Sequence, residues 1–299
     1  MLEDKGFEVV FCEKNEEDIV RLGMDADAMI FTSTRFTSEL FDKLPSLKII
    51  SRSGIGIDTV DIDAATAHGV VVCNCAGYGT YDVAQHTVAL MLSLIHSIPR
   101  YDGAVKERND WSSADVPMAT RLSDRTLGII GFGRISRWVC SMLRGFGISI
   151  MIYDPYADLD VARELGVTSV SLDTLLSESD IISVNAPLNA STKHMINAQS
   201  IKKMRDGVLI INTSRGGLID TEALISALES GKVKGAALDV FEDEPFDDDC
   251  RLRTLKNVIT TPHVAWRSTE AVRDLNVEVI ENITDFFEGK PLKNQLNMK

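Results

Sequence analysis

Three side chains with acid–base or ion-pairing chemistry follow directly on apolar segments of the chain. Arg215 lies in INTSRGG, Glu244 in ALDVFEDEP and His263 in TTPHVAW. An arginine can clamp a carboxylate through two parallel hydrogen bonds. A histidine can give a proton to a keto oxygen, and a neighbouring carboxylate can hold the imidazole and favour its protonated form. At converging strand ends, these residues would form a hydride-transfer site.

Each of these residues also has a purely structural explanation. An arginine after a strand is commonly part of a surface ion pair, and a lone histidine is more often structural than catalytic. Glu244 lies in the acidic run 242–249, and such runs are usually solvated loops. The catalytic interpretation therefore depends on a fold that brings the three side chains together beside a nucleotide site.

A stretch typical of a dinucleotide site runs from Thr126 to Asp154, TLGIIGFGRISRWVCSMLRGFGISIMIYD. Its apolar runs and helical periodicity predict a strand, a turn, a helix and a second strand. Gly131 allows the chain to turn sharply out of the first strand. Gly133 lets a pyrophosphate approach the backbone, and the helix N-terminus then offers N–H groups to the phosphates.

Asp154 ends the second strand, 23 residues after Gly131. Its carboxylate would accept hydrogen bonds from the adenosine ribose and repel a 2′-phosphate, which predicts NAD rather than NADP. Ser136 replaces the third glycine of the usual pattern and is small enough for close packing of helix on strand. The glycines alone would also suit an ordinary strand–helix turn, whereas the flanking strands and Asp154 favour a cofactor site.

The rest of the chain alternates short apolar runs with helical segments, which predicts an α/β fold with parallel sheets. Polar residues follow the strands predicted in the second half of the chain. In a doubly wound sheet the carboxyl ends of the strands face one crevice, where these side chains would meet. Outside the nucleotide stretch, the predicted strands are residues 7–11, 25–31, 48–51, 70–73, 180–184, 207–212, 235–240 and 258–260.

A domain boundary is expected at residues 97–100, after a long and mostly apolar helix over residues 81–98. Apolar side chains nearly encircle this helix, so it should be buried between layers. Pro99 would end it. A more polar helix over residues 101–111 and a loop over residues 112–123 then lead into the nucleotide stretch.

The last long helix, predicted over residues 268–288, could return to the first domain. Domains of this class usually begin with a strand, and none precedes residues 2–5. The first domain is therefore expected to lack its first strand, so that either the true start codon lies upstream or this domain is compromised. Loss of that strand would expose a sheet edge and apolar surface.

Composition argues against several classes of protein. The chain has 299 residues and a formal net charge of −13, which disfavours nucleic-acid binding and gives no sign of an acidic-membrane partner. No apolar run approaches the roughly 18 residues of a membrane span, and the N-terminus does not resemble a signal peptide. Five scattered cysteines suit a reducing cytoplasm. Cys73 and Cys75 have no second pair to complete a site, so no metal is predicted.

The motifs GFGRI, NTSRGG, ALDVFEDEP and TPHVAW together resemble the D-isomer-specific 2-hydroxyacid dehydrogenase family. RSGIGIDTVDIDAA and AGYGTYDVAQH extend the resemblance over nearly the whole chain. It implies two Rossmann-like domains with parallel sheets. The NAD-binding domain (99–272) would be inserted into a flavodoxin-like substrate domain (1–98 and 273–299). NAD as cofactor and a homodimer formed through the NAD-binding domains are implied as well.

The resemblance also assigns roles to residues by position. Arg215 would bind the substrate, His263 would be the acid–base and Glu244 its supporting acid. Asp239 would bind the nicotinamide carboxamide. The other implied contacts are Arg134 and Ile135 with the pyrophosphate, Thr213 and Ser214 with the nicotinamide half, the amides near Ile55 and Gly56 with the substrate carboxylate, and Tyr78 with the substrate.

The HVAW string is similar to the hydroxypyruvate reductase and C-terminal-binding protein branches of the family. Trp266 would wall the site and favour a small or apolar keto-acid side chain, although core packing would also explain it. Gly54 and Gly56 could likewise form a tight turn without a ligand. The predicted reaction is NAD-dependent reduction of a small 2-keto acid, with hydroxypyruvate or glyoxylate preferred. The alternatives are phosphoglycerate dehydrogenase-like activity and an NAD(H)-responsive binding module.

Overall fold

The computed structural model of the protein describes residues 1–112 and 116–298. Within this part of the chain, strands alternate with helices and the strands of each sheet are parallel, as the sequence predicts. The strands are β1 (Ala28–Phe31), β2 (Ile49–Arg52), β3 (Val71–Cys73), β4 (Thr126–Ile130), β5 (Ser149–Tyr153), β6 (Thr168–Ser169), β7 (Ile181–Val184), β8 (Val208–Asn212), β9 (Val233–Leu238) and β10 (Val258–Thr260). The α-helices are α1 (Glu16–Gly23), α2 (Ser38–Asp42), α3 (Ile62–Ala67), α4 (Thr80–Ile95), α5 (Ile98–Arg108), α6 (Arg134–Leu143), α7 (Leu159–Leu165), α8 (Leu172–Glu178), α9 (Ala198–Lys203), α10 (Thr221–Ser230) and α11 (Thr269–Phe287).

The chain forms two compact units, and one is inserted into the sequence of the other. Unit 1 consists of Met1–Gly79 and Arg267–Lys299, and unit 2 is Thr80–Trp266. These limits differ from the predicted boundaries at 98/99 and 272/273. The physical reason at the first boundary is α4, which packs against α6 and against the strands of unit 2. Several of its buried residues, among them Leu90 and Met91, belong to an apolar cluster of that unit.

Unit 1 is built on a three-stranded parallel sheet with the order β1-β2-β3. The central strand is buried on both faces, because Ile50 belongs to one apolar cluster and Ile49 to another. The C-terminal helix α11 packs against β2, as the return of the last helix to the first domain predicts. Covering both faces of a parallel sheet in this way is the usual requirement for its stability.

The strand predicted over residues 7–11 is absent from the structure. These residues adopt no regular secondary structure, and no described residue pairs with them in the sheet. Val10 and Phe11 are 59% and 91% exposed. The prediction was wrong because an apolar run becomes a strand only where a partner strand accepts its hydrogen bonds and a layer covers its side chains.

Unit 2 is built on a seven-stranded parallel sheet with the order β10-β9-β8-β7-β4-β5-β6. The strand order reverses at β4, which pairs with β5 on one side and with β7 on the other. Such a reversal places a crevice at the carboxyl ends of the central strands. Every polar segment of this unit that the sequence marks as catalytic or nucleotide-binding follows one of the seven strands of this sheet.

Pro99 does not end the long helix as predicted. The helix α4 stops at Ile95, and Pro99 lies in the first turn of α5, where the missing proline N–H costs no hydrogen bond. The predicted loop over 112–123 includes residues 113–115, which lie outside the described residues. Among the described helices, none is both long and apolar enough to cross a membrane.

Candidate active site

The turn after β4 requires a glycine at position 131. Gly131 has φ +93°, a conformation that side chains other than glycine rarely adopt. A Cβ atom there would lie 2.7 Å from the backbone oxygen of Asn185. The Gly131 N–H donates to the carbonyl of Tyr153 at 2.8 Å, which anchors the turn to the end of β5.

The beginning of α6 offers room and donors for a phosphate group. A Cβ atom on Gly133 would meet nothing within 4 Å, and Gly133, the N-cap residue of this helix, makes no side-chain cap bond. Arg134 and Ile135 form the first turn of the helix. The first N–H groups of a helix lack intrahelical acceptors and carry a partial positive charge. These features fit the pyrophosphate of a dinucleotide.

Asp154 ties the glycine turn to the end of β5. Its carboxylate accepts hydrogen bonds from the N–H of Phe132 at 2.7 Å and from the N–H of Tyr156 at 2.8 Å. A carboxylate offers about four acceptor positions, so two bonds leave capacity for ribose hydroxyls. The predicted contact with the adenosine ribose therefore fits, and it stays a prediction.

Ser136 serves the packing of α6 on the sheet. Its side chain is buried, and its hydroxyl donates to the carbonyl of Gly131 at 2.7 Å. A glycine at this position would pack as closely but would leave that carbonyl without this donor. The departure from the usual glycine pattern thus adds a hydrogen bond inside the turn itself.

Asn212, the last residue of β8, shapes the loop that carries Arg215. Its buried side chain accepts a hydrogen bond from the Ser214 N–H at 3.0 Å and donates to the Arg215 carbonyl at 2.9 Å. The Ser214 hydroxyl donates to the carbonyl of Val184 on the neighbouring strand. No motif in the sequence marks Asn212, and its only signal is a polar residue ending an apolar strand.

Two further residues missed by the sequence analysis lie on α4 and support the same edge of the sheet. The hydroxyl of Thr87 lies 2.7 Å from that of Thr213, and both side chains are buried. The imidazole of His86 lies 3.2 Å from the hydroxyl of Thr261. Both contacts join positions more than a hundred residues apart in the chain, so no local pattern points to them.

The loops after β8 and β9 are in direct backbone contact at Gly216. A Cβ atom on Gly216 would lie 1.8 Å from the backbone carbon of Phe241. The N–H of Phe241 in turn donates to the Glu244 carboxylate at 3.0 Å. The absence of a side chain at Gly216 therefore sets how closely the loop of Arg215 approaches the loop of Glu244.

His263 and Glu244 form a hydrogen-bonded pair. Nδ1 of His263 lies 2.6 Å from a carboxylate oxygen of Glu244, and the two side chains are 41% and 35% exposed. Burial by itself would raise the pKa of Glu244. The hydrogen bonds from His263 and from the Phe241 N–H, with the positive charges of His263 and Arg215, hold that pKa below its ordinary value. His263 and Arg215 thus both act electrostatically on Glu244.

Asp239 organises the turn that presents His263. Its carboxylate, which has no exposed surface, accepts hydrogen bonds from the hydroxyl of Thr261 at 2.5 Å and from the N–H groups of Val264 and Ala265 at 2.9 Å. Its backbone carbonyl accepts the N–H of His263 at 2.8 Å. His263 itself has φ +54°, an uncommon conformation for a side chain of this size. The predicted contact with the nicotinamide carboxamide stays a prediction.

The remaining predicted site residues are only partly exposed. Ile55 and Gly56 follow β2 in unit 1, and Tyr78 lies just before the end of the first segment of that unit. Trp266 is the last residue of unit 2 and is half-buried. Their predicted contacts with substrate stay predictions.

Three of the five cysteines are buried, and their surroundings make them poor nucleophiles. Burial raises the pKa of the Cys73, Cys75 and Cys140 thiols to about 12, so these groups stay protonated at neutral pH. No group of three or more His, Cys, Asp or Glu side chains in residues 1–112 and 116–298 could hold a metal ion.

Comparison with known sequences points to one family. The model of the D-isomer specific 2-hydroxyacid dehydrogenase NAD binding domain matches residues 88–265. The hydroxypyruvate reductase of Thermotoga maritima is 39% identical over 286 residues, 95% of this chain and 92% of that protein. The D-3-phosphoglycerate dehydrogenase of Bacillus subtilis is 39% identical over 100% of this chain and 56% of that protein. This chain thus spans about half the length of the phosphoglycerate dehydrogenases it matches.

Solved structures share the fold over nearly the whole chain. D-lactate dehydrogenase from Aquifex aeolicus, complexed with NAD and lactic acid, superposes with a TM-score of 0.87 at 34% identity, covering 94% of this chain and 89% of that one. NAD-dependent formate dehydrogenase from Staphylococcus aureus, in complex with NAD, superposes with a TM-score of 0.90 at 29% identity, covering 100% and 91%.

Proposed function

The chain belongs to the D-isomer specific 2-hydroxyacid dehydrogenase family, and we propose that it is an NAD-dependent reductase of small 2-keto acids. The observation that carries the proposal is the His263–Glu244 pair, within the electrostatic reach of Arg215 and on loops that follow strands of a dinucleotide-type sheet. The product would be a D-2-hydroxy acid. The same residues would catalyse the oxidation in reverse.

NADH, held by the glycine turn, the start of α6 and Asp154, would supply the hydride for the keto carbon. Arg215 binds the substrate carboxylate through its guanidinium and so orients the keto group. Nδ1 of His263 is committed to Glu244, so Nε2 gives its proton to the keto oxygen as the carbonyl becomes a CH–OH group. Glu244 holds the ring in this orientation.

We propose hydroxypyruvate or glyoxylate as the first substrates to test. The hydroxypyruvate reductase of Thermotoga maritima supports this choice, because the match covers nearly the full length of both proteins. A half-buried indole at Trp266 would suit a small substrate side chain better than a large one. The amides near Ile55 and Gly56, and the ring of Tyr78, are proposed as further contacts of the substrate.

A second candidate is phosphoglycerate dehydrogenase-like activity. The observation that favours it is the identity of 37–39% to several D-3-phosphoglycerate dehydrogenases over 92–100% of this chain. This chain spans 44–57% of those proteins, so the comparison covers only part of what they contain. Because the two candidates share the same catalytic residues, they differ only in the substrate side chain.

The test is oxidation of NADH or NADPH with a panel that includes glyoxylate, hydroxypyruvate, pyruvate and 3-phosphohydroxypyruvate. We expect turnover of a small keto acid with NADH, a weak reaction with NADPH because of Asp154, and a loss of roughly a hundredfold or more for His263→Ala. If no member of the panel is turned over, or if the His263→Ala variant is as fast as the wild type, the proposed enzymatic function is refuted. Preference for the phosphorylated substrate would favour the second candidate.

We also propose that the protein acts in the cytoplasm as a homodimer formed through unit 2. Large apolar side chains of this unit support an interface, since Ile98 and Trp111 are 54% and 84% exposed. Size-exclusion chromatography with light scattering, with and without NADH, measures the oligomeric state. A dimer that forms only with NADH and shows no turnover would instead indicate an NAD(H)-responsive binding module.

A further inference from the structure

Hydrogen bonds from Asn74 and Cys75 orient the peptide groups of the loop after β2, residues 53–56. The carbonyl of Gly54 accepts the N–H of Cys75 at 3.0 Å, and the carbonyl of Ile55 accepts the side-chain amide of Asn74 at 2.7 Å. Cys75 is fully buried and Asn74 is 8% exposed. Both carbonyls therefore point into unit 1.

This orientation fixes the direction of the two following N–H groups. In a trans peptide the C=O of one residue and the N–H of the next lie in one plane and point in opposite directions. The N–H groups of Ile55 and Gly56 therefore point away from Cys75 and Asn74. Neither donates a hydrogen bond within the described residues. Two adjacent outward N–H groups are a donor set suited to a carboxylate.

Asn74 is itself held by a buried polar network. Its carbonyl accepts the side-chain amide of Asn282 on α11 at 3.0 Å, and that amide also donates to the Ser51 hydroxyl at 3.1 Å. The Ser51 hydroxyl donates to the carbonyl of Val279, one turn earlier in α11. Ser51 and Asn282 are 0% and 5% exposed. Because buried polar groups are costly unless fully paired, this network specifies one arrangement of the loop.

We propose that Asn74 is a positioning residue for substrate binding, with Asn282 as its support. Its side-chain amide keeps the Ile55 carbonyl turned inward and so keeps the Gly56 N–H turned towards a small 2-oxo carboxylate. This inference rests on the proposed function for the identity of the ligand. Without the Asn74 donor, the peptide between Ile55 and Gly56 loses the bond that fixes its direction.

A residue elsewhere in unit 1 provides a matched control. Asn297 is 7% exposed, and its side chain accepts the N–H of Val72 and donates to the carbonyl of Val70 and the hydroxyl of Thr66. It makes no contact with residues 53–56 in the hydrogen bonds of the described chain. Asn297→Ala therefore removes a buried amide from the same unit while leaving the Ile55 carbonyl untouched.

The first experiment compares steady-state kinetics of the wild type, Asn74→Ala and Asn297→Ala. We expect Asn74→Ala to raise KM for the keto acid by about ten- to a hundredfold, because hydrogen bonds to a charged group are lost. KM for NADH should change by less than about twofold. Asn297→Ala should lower Tm at least as much and leave both KM values near the wild type. An unchanged KM in Asn74→Ala, or an equal rise in both variants, would overturn the inference.

The second experiment separates this inference from the proposed function by measuring binding without turnover. Oxamate, a planar analogue of 2-keto acids, is titrated calorimetrically into each protein in the presence of NADH. If the wild type binds oxamate and Asn74→Ala binds it at least about tenfold more weakly, the positioning role stands even when no keto acid is reduced. If the wild type does not bind oxamate, the inference is refuted.

Asn74→Asp adds a readout that a merely structural role would not show. Its ionised carboxylate cannot donate to the Ile55 carbonyl, whereas the protonated form can. We expect its oxamate-binding defect to shrink as the pH falls through the carboxyl range, where oxamate itself remains an anion. A defect that stays constant with pH while Asn74→Ala behaves like the wild type would contradict the proposed hydrogen bond.

Discussion

The ring of His263 owes its orientation to one carboxylate. Nδ1 is bonded to Glu244 at 2.6 Å, and the other oxygen of Glu244 accepts the Phe241 N–H. The ring could otherwise rotate about its side-chain bonds, since 41% of it is exposed. Ionisation of Glu244 is therefore the condition for a defined direction of Nε2, the nitrogen that would carry the transferable proton.

The first prediction concerns the pH dependence of stability at Glu244. Its pKa lies below the ordinary value of 4.5 in the folded protein, so the folded state binds this proton less readily than the unfolded state. The stabilising contribution is complete above the ordinary value and is lost as the pH falls through the lowered folded pKa. We expect at most about 1 kcal/mol, because the pair is partly exposed.

Chemical unfolding of the wild type and Glu244→Gln between neutral and acidic pH measures this contribution. The difference in the free energy of unfolding should be largest near neutrality and should vanish at low pH. Glu242→Gln is the control for activity, since Glu242 pairs with His194 and its pKa is also lowered. That variant should keep its kcat, whereas Glu244→Gln should lose it. A difference in stability that grows towards acid would show that Glu244 is not ionised in the folded state.

At the scale of elements, the site is formed by loops that pack against one another at the carboxyl edge of the sheet. The loop after β8 meets the loop after β9 at Gly216, and the loop after β10 is bonded to Asp239 at the end of β9. Each contact joins backbone or fully buried atoms. The spacing of the loops that carry Arg215, Glu244 and His263 is therefore set by backbone packing.

The second prediction tests this packing with Gly216→Ala. The added Cβ atom would overlap the backbone of Phe241, so the two loops must separate. We expect a loss of about 2 kcal/mol or more in the free energy of unfolding and a fall in kcat of about tenfold or more. Thermal unfolding and steady-state kinetics measure the two effects.

Gly145→Ala is the matched control for that variant. A Cβ atom on Gly145 would meet nothing within 4 Å, and this residue also belongs to unit 2. We expect its stability and kcat to stay near those of the wild type. If Gly216→Ala were as stable and as active as Gly145→Ala, the close contact between the two loops would not limit the site.

At the scale of the whole molecule, unit 2 contains a complete fold within one continuous stretch of chain. Its two apolar clusters, one on each face of the seven-stranded sheet, draw all their buried residues from between Thr80 and Trp266. Unit 1, in contrast, needs both ends of the chain, because α11 packs against β2. A unit with its own core can fold independently of the rest.

The third prediction follows from that independence. A fragment of residues 80–266 should fold cooperatively and bind NADH, because the glycine turn, α6 and Asp154 all lie within it. It should not reduce keto acids, since it lacks the proposed contacts at Ile55 and Gly56. Circular dichroism and NADH fluorescence test folding and binding. An unfolded fragment would show that unit 2 needs unit 1 for its stability.

The sequence by itself determined the fold class, the glycine turn and the strand ends that carry Arg215, Glu244 and His263. Each of these depends on local information, namely apolar periodicity, a glycine at a position where the chain turns sharply, or a polar residue after a strand. The structure confirms the parallel α/β fold. It pairs His263 with Glu244, and the charge of Arg215 acts on Glu244. The structure also explains the serine at position 136, because its hydroxyl donates a hydrogen bond to the carbonyl of Gly131 in the turn.

Only the tertiary structure decided the features that depend on distant partners. The run over residues 7–11 has strand-like composition, yet it finds no neighbouring strand among the described residues, and Val10 and Phe11 stay exposed. The limits of the units follow from what α4 packs against. Asn282 supports Asn74 from a position 208 residues away. Such contacts leave no periodic trace in the chain, because they are set by which surfaces meet after folding and not by neighbouring residues.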